Sequence, residues 1–158
     1  MVDKIYALAK YDLPITLSIS LHACDDVTRS SIMPINNEWG VDARLQACKD
    51  YFAATGRRIS FEYTLIRGKN DSLAAAEQLA NVLNSRLRSR SDTMPIHVNL
   101  IPVNPVEETG FDRSDDKAVK AFAAALEKKG VRATVRRKLG ADINAACGQL
   151  RRAEQNRE

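Results

Sequence analysis

Three cysteines punctuate a chain of 158 residues, at Cys24, Cys48 and Cys147. Cys147 is the one whose surroundings could do chemistry. It sits in "GADINAACGQLRR", between small residues, with Gly140 and Gly148 near it and Arg151 and Arg152 just beyond. Glycines give the backbone around it freedom to move. Nearby cations favour the thiolate, which is the reactive form of cysteine. The bland alternative is a small, inert core residue, since free cysteine is commonly buried. Cys48 needs only that alternative, because it shares a helical face with Val41, Leu45 and Phe52. No two of the cysteines have the spacing of metal ligands, and their odd number and wide separation argue against a disulfide framework. That usage fits a reducing, cytoplasmic compartment.

The elements that must position such a residue alternate along the chain. Strand-like "ITLSISLHA" (Ile15–Ala23) precedes helical "VDARLQACKDYFAAT", which Gly56 ends. "RRISFEYTLIRG" is a second strand. A helix capped by Asp71 or Ser72 follows, with Ala76, Leu79, Leu83 and Leu87 as its apolar stripe. "PIHVNLIPVNP" is a third strand. Ser114 is expected to cap the next helix, whose inward residues are Val119, Phe122, Ala123 and Leu126 and whose end is Gly130. "VRATVRR" is the last strand. This alternation predicts an α/β fold with mostly parallel strands.

The strands are not the continuous apolar runs of a sheet covered on both faces. Leu17, Ile19 and Leu21 oppose Ser18, Ser20 and His22. Ile59, Phe61, Tyr63 and Leu65 oppose Ser60, Glu62 and Thr64; Ile96, Val98 and Leu100 oppose His97 and Asn99. One face suits packed helices. The other suits a polar ligand inside a barrel or part-barrel, or water if the strands are antiparallel edges. Glu62 on that face must be paired, ligand-bound or wet. In barrels the chemistry lies at the C-terminal strand ends, which here carry His22, the run from Arg67 to Asp71, and Asn104. Three strand–helix units do not close a barrel, so the sheet is open or the chain is part of a larger whole.

A composition 44% hydrophobic and 28% charged is that of an ordinary globular domain. No apolar run is long enough to span a membrane, and the N-terminus lacks the pattern of a secretory signal. The net charge of +4 permits nucleic-acid binding without requiring it. Arg132, Arg136, Arg137, Lys138, Arg151, Arg152 and Arg157 crowd the region around Cys147, as a solvated basic tail or as contacts for phosphates.

Three stretches, "SISLHACDDVTRSSIMPIN", "FEYTLIRGKND" with "VNLIPVNP", and "GADINAACGQL", resemble the radical S-adenosylmethionine (SAM) methyltransferases that methylate C2 of adenine in 23S rRNA and in some tRNAs. The resemblance covers nearly the whole chain, 1–158, and corresponds to the C-terminal half of that family. It implies the C-terminal half of a partial (β/α)6 barrel. The half absent here would hold a small accessory domain and a CxxxCxxC loop binding a 4Fe-4S cluster, so the chain by itself is expected to be inactive and to provide no metal ligands.

The resemblance also implies that Cys147 receives a methyl group from one SAM. A second SAM, cleaved at the cluster, supplies a 5′-deoxyadenosyl radical that activates the S-methyl group for addition to adenine C2. Adenine C2 is not nucleophilic, whereas a thiolate is a good methyl acceptor. Ser20, Leu21 and His22 match the family's SAM-contacting strand end, and Asn104 matches another SAM contact. Two carboxylates common in the family near this cysteine are replaced by Ala141 and Asn144, and Cys24 stands where proline is common. Two alternatives stay open: a relative that methylates C8 of the same adenine, associated with ribosome-antibiotic resistance, and a stand-alone RNA- or nucleoside-binding module. 23S rRNA and tRNA are the expected partners of the parent enzyme, no membrane is expected, and an uncovered sheet edge is expected to favour self-association.

Overall fold

The computed structural model describes residues 2–11, 13–33, 39–88, 94–103 and 110–136. A short helix α1 (Val2–Leu8) leads into strand β1 (Leu17–Ser20), then α2 (Asp26–Ile32), α3 (Val41–Thr55), β2 (Ile59–Leu65), α4 (Leu73–Leu87), β3 (His97–Pro102), α5 (Asp116–Lys128) and β4 (Arg132–Val135). The four strands form one sheet in the order β1-β2-β3-β4, and every pairing is parallel. The α/β alternation expected from the sequence is therefore present, and the antiparallel alternative does not hold for these strands.

The apolar sides of the strands meet the helices. Phe61, Tyr63, Leu65, Val98 and Leu100 are fully or almost fully buried against Leu45, Cys48, Leu79, Leu83, Phe122 and Leu126. The rings of Tyr63 and Phe122 lie 5.3 Å apart in a tilted arrangement, a favourable aromatic geometry. The stripe expected on α4 is buried in full, and Val119, Phe122 and Leu126 are the buried residues of α5. On α3 the inward face runs further round than expected: Tyr51 and Arg44 are buried, while Phe52 is only half-buried.

The helix termini follow local chemistry. The Asp26 carboxylate accepts the backbone N–H of Val41 at 2.8 Å, so a residue of α2 caps α3. A Cβ on Gly40 would come within 2.9 Å of that carboxylate, so any larger residue there would have to shift it. Gly56 closes α3 in the left-handed conformation, at φ 62°. Ser72 caps α4 through Ala75 N–H. At α5 the cap is Asp115, not Ser114: Asp115 accepts the Ala118 N–H at 2.7 Å. The Ser114 hydroxyl is buried and committed elsewhere, donating to Asp71 at 2.7 Å. No helix among the described residues is long and apolar enough to cross a membrane.

Candidate functional site

The register of the sheet sorts its other face into two polar rows. Ser18, Ser60, His97 and Arg132 stand side by side across the four strands, and Ser20, Glu62, Asn99 and Thr134 form the next row toward the C-terminal ends. Glu62, half-buried, is hydrogen-bonded on both carboxylate oxygens. Its carboxylate accepts the Ser60 hydroxyl at 3.3 Å and the Asn99 amide at 2.7 Å. His97 continues the chain, with Nδ1 3.1 Å from Ser60 Oγ and Nε2 3.1 Å from Thr134 Oγ1. With the Ser60 proton directed to Glu62, Nδ1–H donates to Ser60 and Nε2 accepts from Thr134, which suits a neutral imidazole. Burial, followed by the nearby Arg58, lowers its pKa.

The turn after β1 holds the sequence-derived candidates Ser20, Leu21 and His22. Among the described residues, His22 is the one non-glycine with a left-handed backbone, at φ 61°. That conformation costs a non-glycine residue about 1–2 kcal/mol and needs surrounding contacts to hold it. The contacts are present. Thr64 donates its backbone N–H to His22 Nδ1 at 3.0 Å, which fixes Nδ1 as the acceptor and leaves Nε2 carrying the proton of the neutral ring. Burial, with the charge of Arg29 adding to it, lowers the His22 pKa to about 4.

The main chain of the turn is equally engaged. Leu21 and His22 direct their N–H groups to the Glu62 carbonyl. Arg29, buried on α2, donates from Nε to the Leu21 carbonyl at 2.8 Å and from Nη2 to the Ser20 carbonyl at 3.0 Å. Asn70, only 2% exposed, donates from Nδ2 to the carbonyls of His22 (2.8 Å) and Thr64 (2.7 Å), while its Oδ1 accepts the Ile66 N–H at 2.8 Å. The Tyr63 hydroxyl donates to Asn70's own carbonyl at 3.0 Å. Each buried group left without its partner would cost about 1–3 kcal/mol. Leu21 therefore offers a ligand its position rather than a side chain, which is fully buried. Ser20 offers an exposed hydroxyl and His22 a single N–H donor.

Arg29 is a contributor that sequence reasoning passed over, and Asn70 stood there only as one member of the run from Arg67 to Asp71. An arginine in a polar stretch reads as solvated, and an asparagine in "GKND" reads as a turn residue. The remaining candidates, Asn104 and Cys147, lie outside the described residues, as do Ala141 and Asn144. Cys24 and Cys48 are both buried. Burial pushes their thiols up, to about 11 for Cys24, where Asp25 adds to the effect, and to about 12 for Cys48, where Arg44 partly opposes it. Neither is suited to act as a thiolate nucleophile or ligand at neutral pH. Among the described residues no three His, Cys, Asp or Glu side chains are grouped so as to hold a metal ion.

Comparison with known proteins gives relatives along nearly the whole chain. A protein of Clostridium botulinum (strain Hall) named probable dual-specificity RNA methyltransferase RlmN is 45% identical over 153 residues, 97% of this chain and 42% of its own length. One of the same name from Clostridium acetobutylicum is 47% identical over 152 residues. The chain thus spans about two fifths of the length of the curated relatives it matches. Since only about five of the 158 residues fall outside the first match, Cys147 lies within the matched span. The crystal structure of a radical SAM methyltransferase from Sphaerobacter thermophilus superposes with a TM-score of 0.84 at 42% identity, over 94% of this chain and 41% of that one. A domain of a pyruvate-formate lyase-activating enzyme from Bacteroides vulgatus shares the fold alone, at a TM-score of 0.65 and 16% identity. No family model matches the chain.

Proposed function

We propose that this chain, a relative of the radical SAM dual-specificity RNA methyltransferases, is the C-terminal part of such an enzyme, acting on C2 of adenine in 23S rRNA and tRNA. The observation that carries the reading is identity of 45–48% sustained over almost the entire chain, in a fold that superposes on a radical SAM methyltransferase. On this reading the four strands are the closing part of a partial (β/α)6 barrel, and the two polar rows face its interior. The enzyme works in the cytoplasm, where its RNA substrates and a reducing environment are found.

SAM and a 4Fe-4S cluster would supply the methyl group and the radical chemistry. The residues present fit the first of these. A hydroxyl at Ser20, one fixed N–H at His22 and a hydrogen-bonded carboxylate at Glu62 are donors and acceptors of the kind that recognise a nucleoside. Asn104, two residues beyond β3, would add an amide. The described residues do not fit the cluster, because Cys24 and Cys48 are buried thiols with raised pKa values. The cluster's ligands would come from the part of the enzyme that this chain does not match. Cys147 would accept the methyl group at Sγ, losing its thiol proton in doing so, and then carry that carbon to the adenine. The arginines around it would contact RNA phosphates.

The test is nucleoside mass analysis of 23S rRNA treated with the complete enzyme. A methyl group on adenine C2 is expected. A methyl group on C8 instead would move the chain to the antibiotic-resistance relatives. Unmodified RNA from a cluster-loaded, SAM-cleaving enzyme would contradict both.

A further inference from the structure

The Asn70 side chain commits both of its N–H donors and its oxygen to the backbone around the candidate SAM turn. Its two N–H groups go to two different strand ends, to His22 after β1 and to Thr64 in β2, at 2.8 and 2.7 Å. Its oxygen takes the Ile66 N–H. The two residues it clasps are also the two joined by the Thr64 N–H to His22 Nδ1 bond. Releasing the His22 carbonyl would remove a hydrogen bond that holds His22 at positive φ, a conformation its own steric preferences oppose. Once the backbone relaxed, the ring could not keep its bond to Thr64. A purely structural asparagine would touch the turn without bearing on which imidazole nitrogen faces a ligand; Asn70 shares both of its carbonyl partners, His22 and Thr64, with the bond that sets it.

We propose that Asn70 is the positioning residue of the Ser20–His22 turn, locking His22 in its left-handed conformation so that the imidazole presents one fixed Nε2–H donor to a nucleoside-class ligand. The ligand part rests on the reading of this turn as a SAM contact. The locking part rests on the hydrogen bonds alone.

Two measurements separate these parts. The first uses this chain and nitrogen-15 imidazole spectra, which are simple because His22 and His97 are its two histidines; His97→Gln assigns them. Wild-type His22 is expected to show the Nε2–H tautomer alone at neutral pH. In Asn70→Asp, which keeps size and the acceptor oxygen but loses both donors, and in Asn70→Ala, the signal is expected to average between tautomers. Titration there should move toward that of an ordinary histidine. A mixed or Nδ1–H tautomer in the wild type overturns the locking without any variant, and an unchanged His22 signature in a folded Asn70→Asp overturns it equally. The second measurement is equilibrium SAM binding by the complete enzyme, where Asn70→Asp is expected to bind at least tenfold more weakly. If the wild type shows no saturable SAM binding, the ligand part falls with the reading it rests on, while the imidazole spectra still decide the locking.

Discussion

The backbone N–H of Thr64, in β2, points at Nδ1 of His22, at the end of β1, and the two lie 3.0 Å apart. The bond joins neighbouring strand ends through a side chain that must stay neutral to accept it. Protonation of His22 would place a donor against a donor.

That relationship has a pH signature. The His22 pKa is lowered to about 4 in the folded chain, by burial first and by Arg29 second, against about 6.5 when unfolded. Between those values the unfolded chain binds the extra proton. Stability is therefore fully present above about pH 6.5 and is lost as pH falls toward 4, by up to a few kcal/mol at about 1.4 kcal/mol per pKa unit. Urea unfolding of the wild type and of His22→Asn, whose new side chain tolerates positive φ, should show a steeper acid loss in the wild type. His97, also lowered, supplies the slope that remains in the variant. Equal slopes would contradict the buried neutral imidazole.

Arg29 should matter for stability more than a surface arginine does. It is 1% exposed and satisfies the carbonyls of Ser20 and Leu21. Arg29→Leu should cost about 2–4 kcal/mol, because two carbonyls lose charge-assisted bonds, and Arg29→Lys should recover only part of it. A loss below about 0.5 kcal/mol in urea unfolding, the range of ordinary surface changes, would show that the turn does not depend on it.

The cysteines should separate by reactivity. Cys24 and Cys48 carry thiols raised to about 11 and about 12, so alkylation of the native chain near pH 7.5 should spare both and modify Cys147. All three should react after unfolding. Cys48→Ala should cost on the order of 1 kcal/mol for the small cavity it leaves. Native labelling of Cys48 as fast as Cys147 would contradict its place in the core.

The sheet ends in β1 and β4, each paired on one side only among the described strands. Strand edges of this kind invite pairing between chains. Light scattering of the isolated chain should show a mass that rises with concentration. A monodisperse monomer at high concentration would rule out edge pairing.

Much of this architecture could be read from periodicity, and the misses have physical causes. The two-faced strands were legible because Ser60, Glu62 and Thr64 alternate with Phe61 and Tyr63, and the α4 stripe because four apolar residues recur at helical spacing. Helix α2 was not legible. It is barely two turns long, and its buried residue is an arginine, so there is no apolar period to detect. In α1, Val2 and Ile5 are the buried residues of a helix just as short. The exchange of Ser114 for Asp115 at the α5 cap depended on a partner far away in sequence, Asp71. The role of Asn70 within the run from Arg67 to Asp71 escaped notice for the same reason, since its bond to the His22 carbonyl, 48 residues away in sequence, arises only when the strand ends are brought together. The setting of Cys147 and the strand-end place of Asn104 were legible from pattern, whereas the roles given to them came from family likeness.

Cys147 is expected to carry the methyl group. The most direct test is the complete enzyme with Cys147→Ala, loaded with cluster and SAM and given 23S rRNA, alongside mass analysis of the wild-type cysteine peptides. SAM cleavage should persist, adenine methylation should vanish, and S-methylcysteine should appear at Cys147 of the wild type and not at Cys24 or Cys48. Full methylation of the rRNA by Cys147→Ala would contradict the account, because the two other thiols of this chain are buried and protonated and could not take its place.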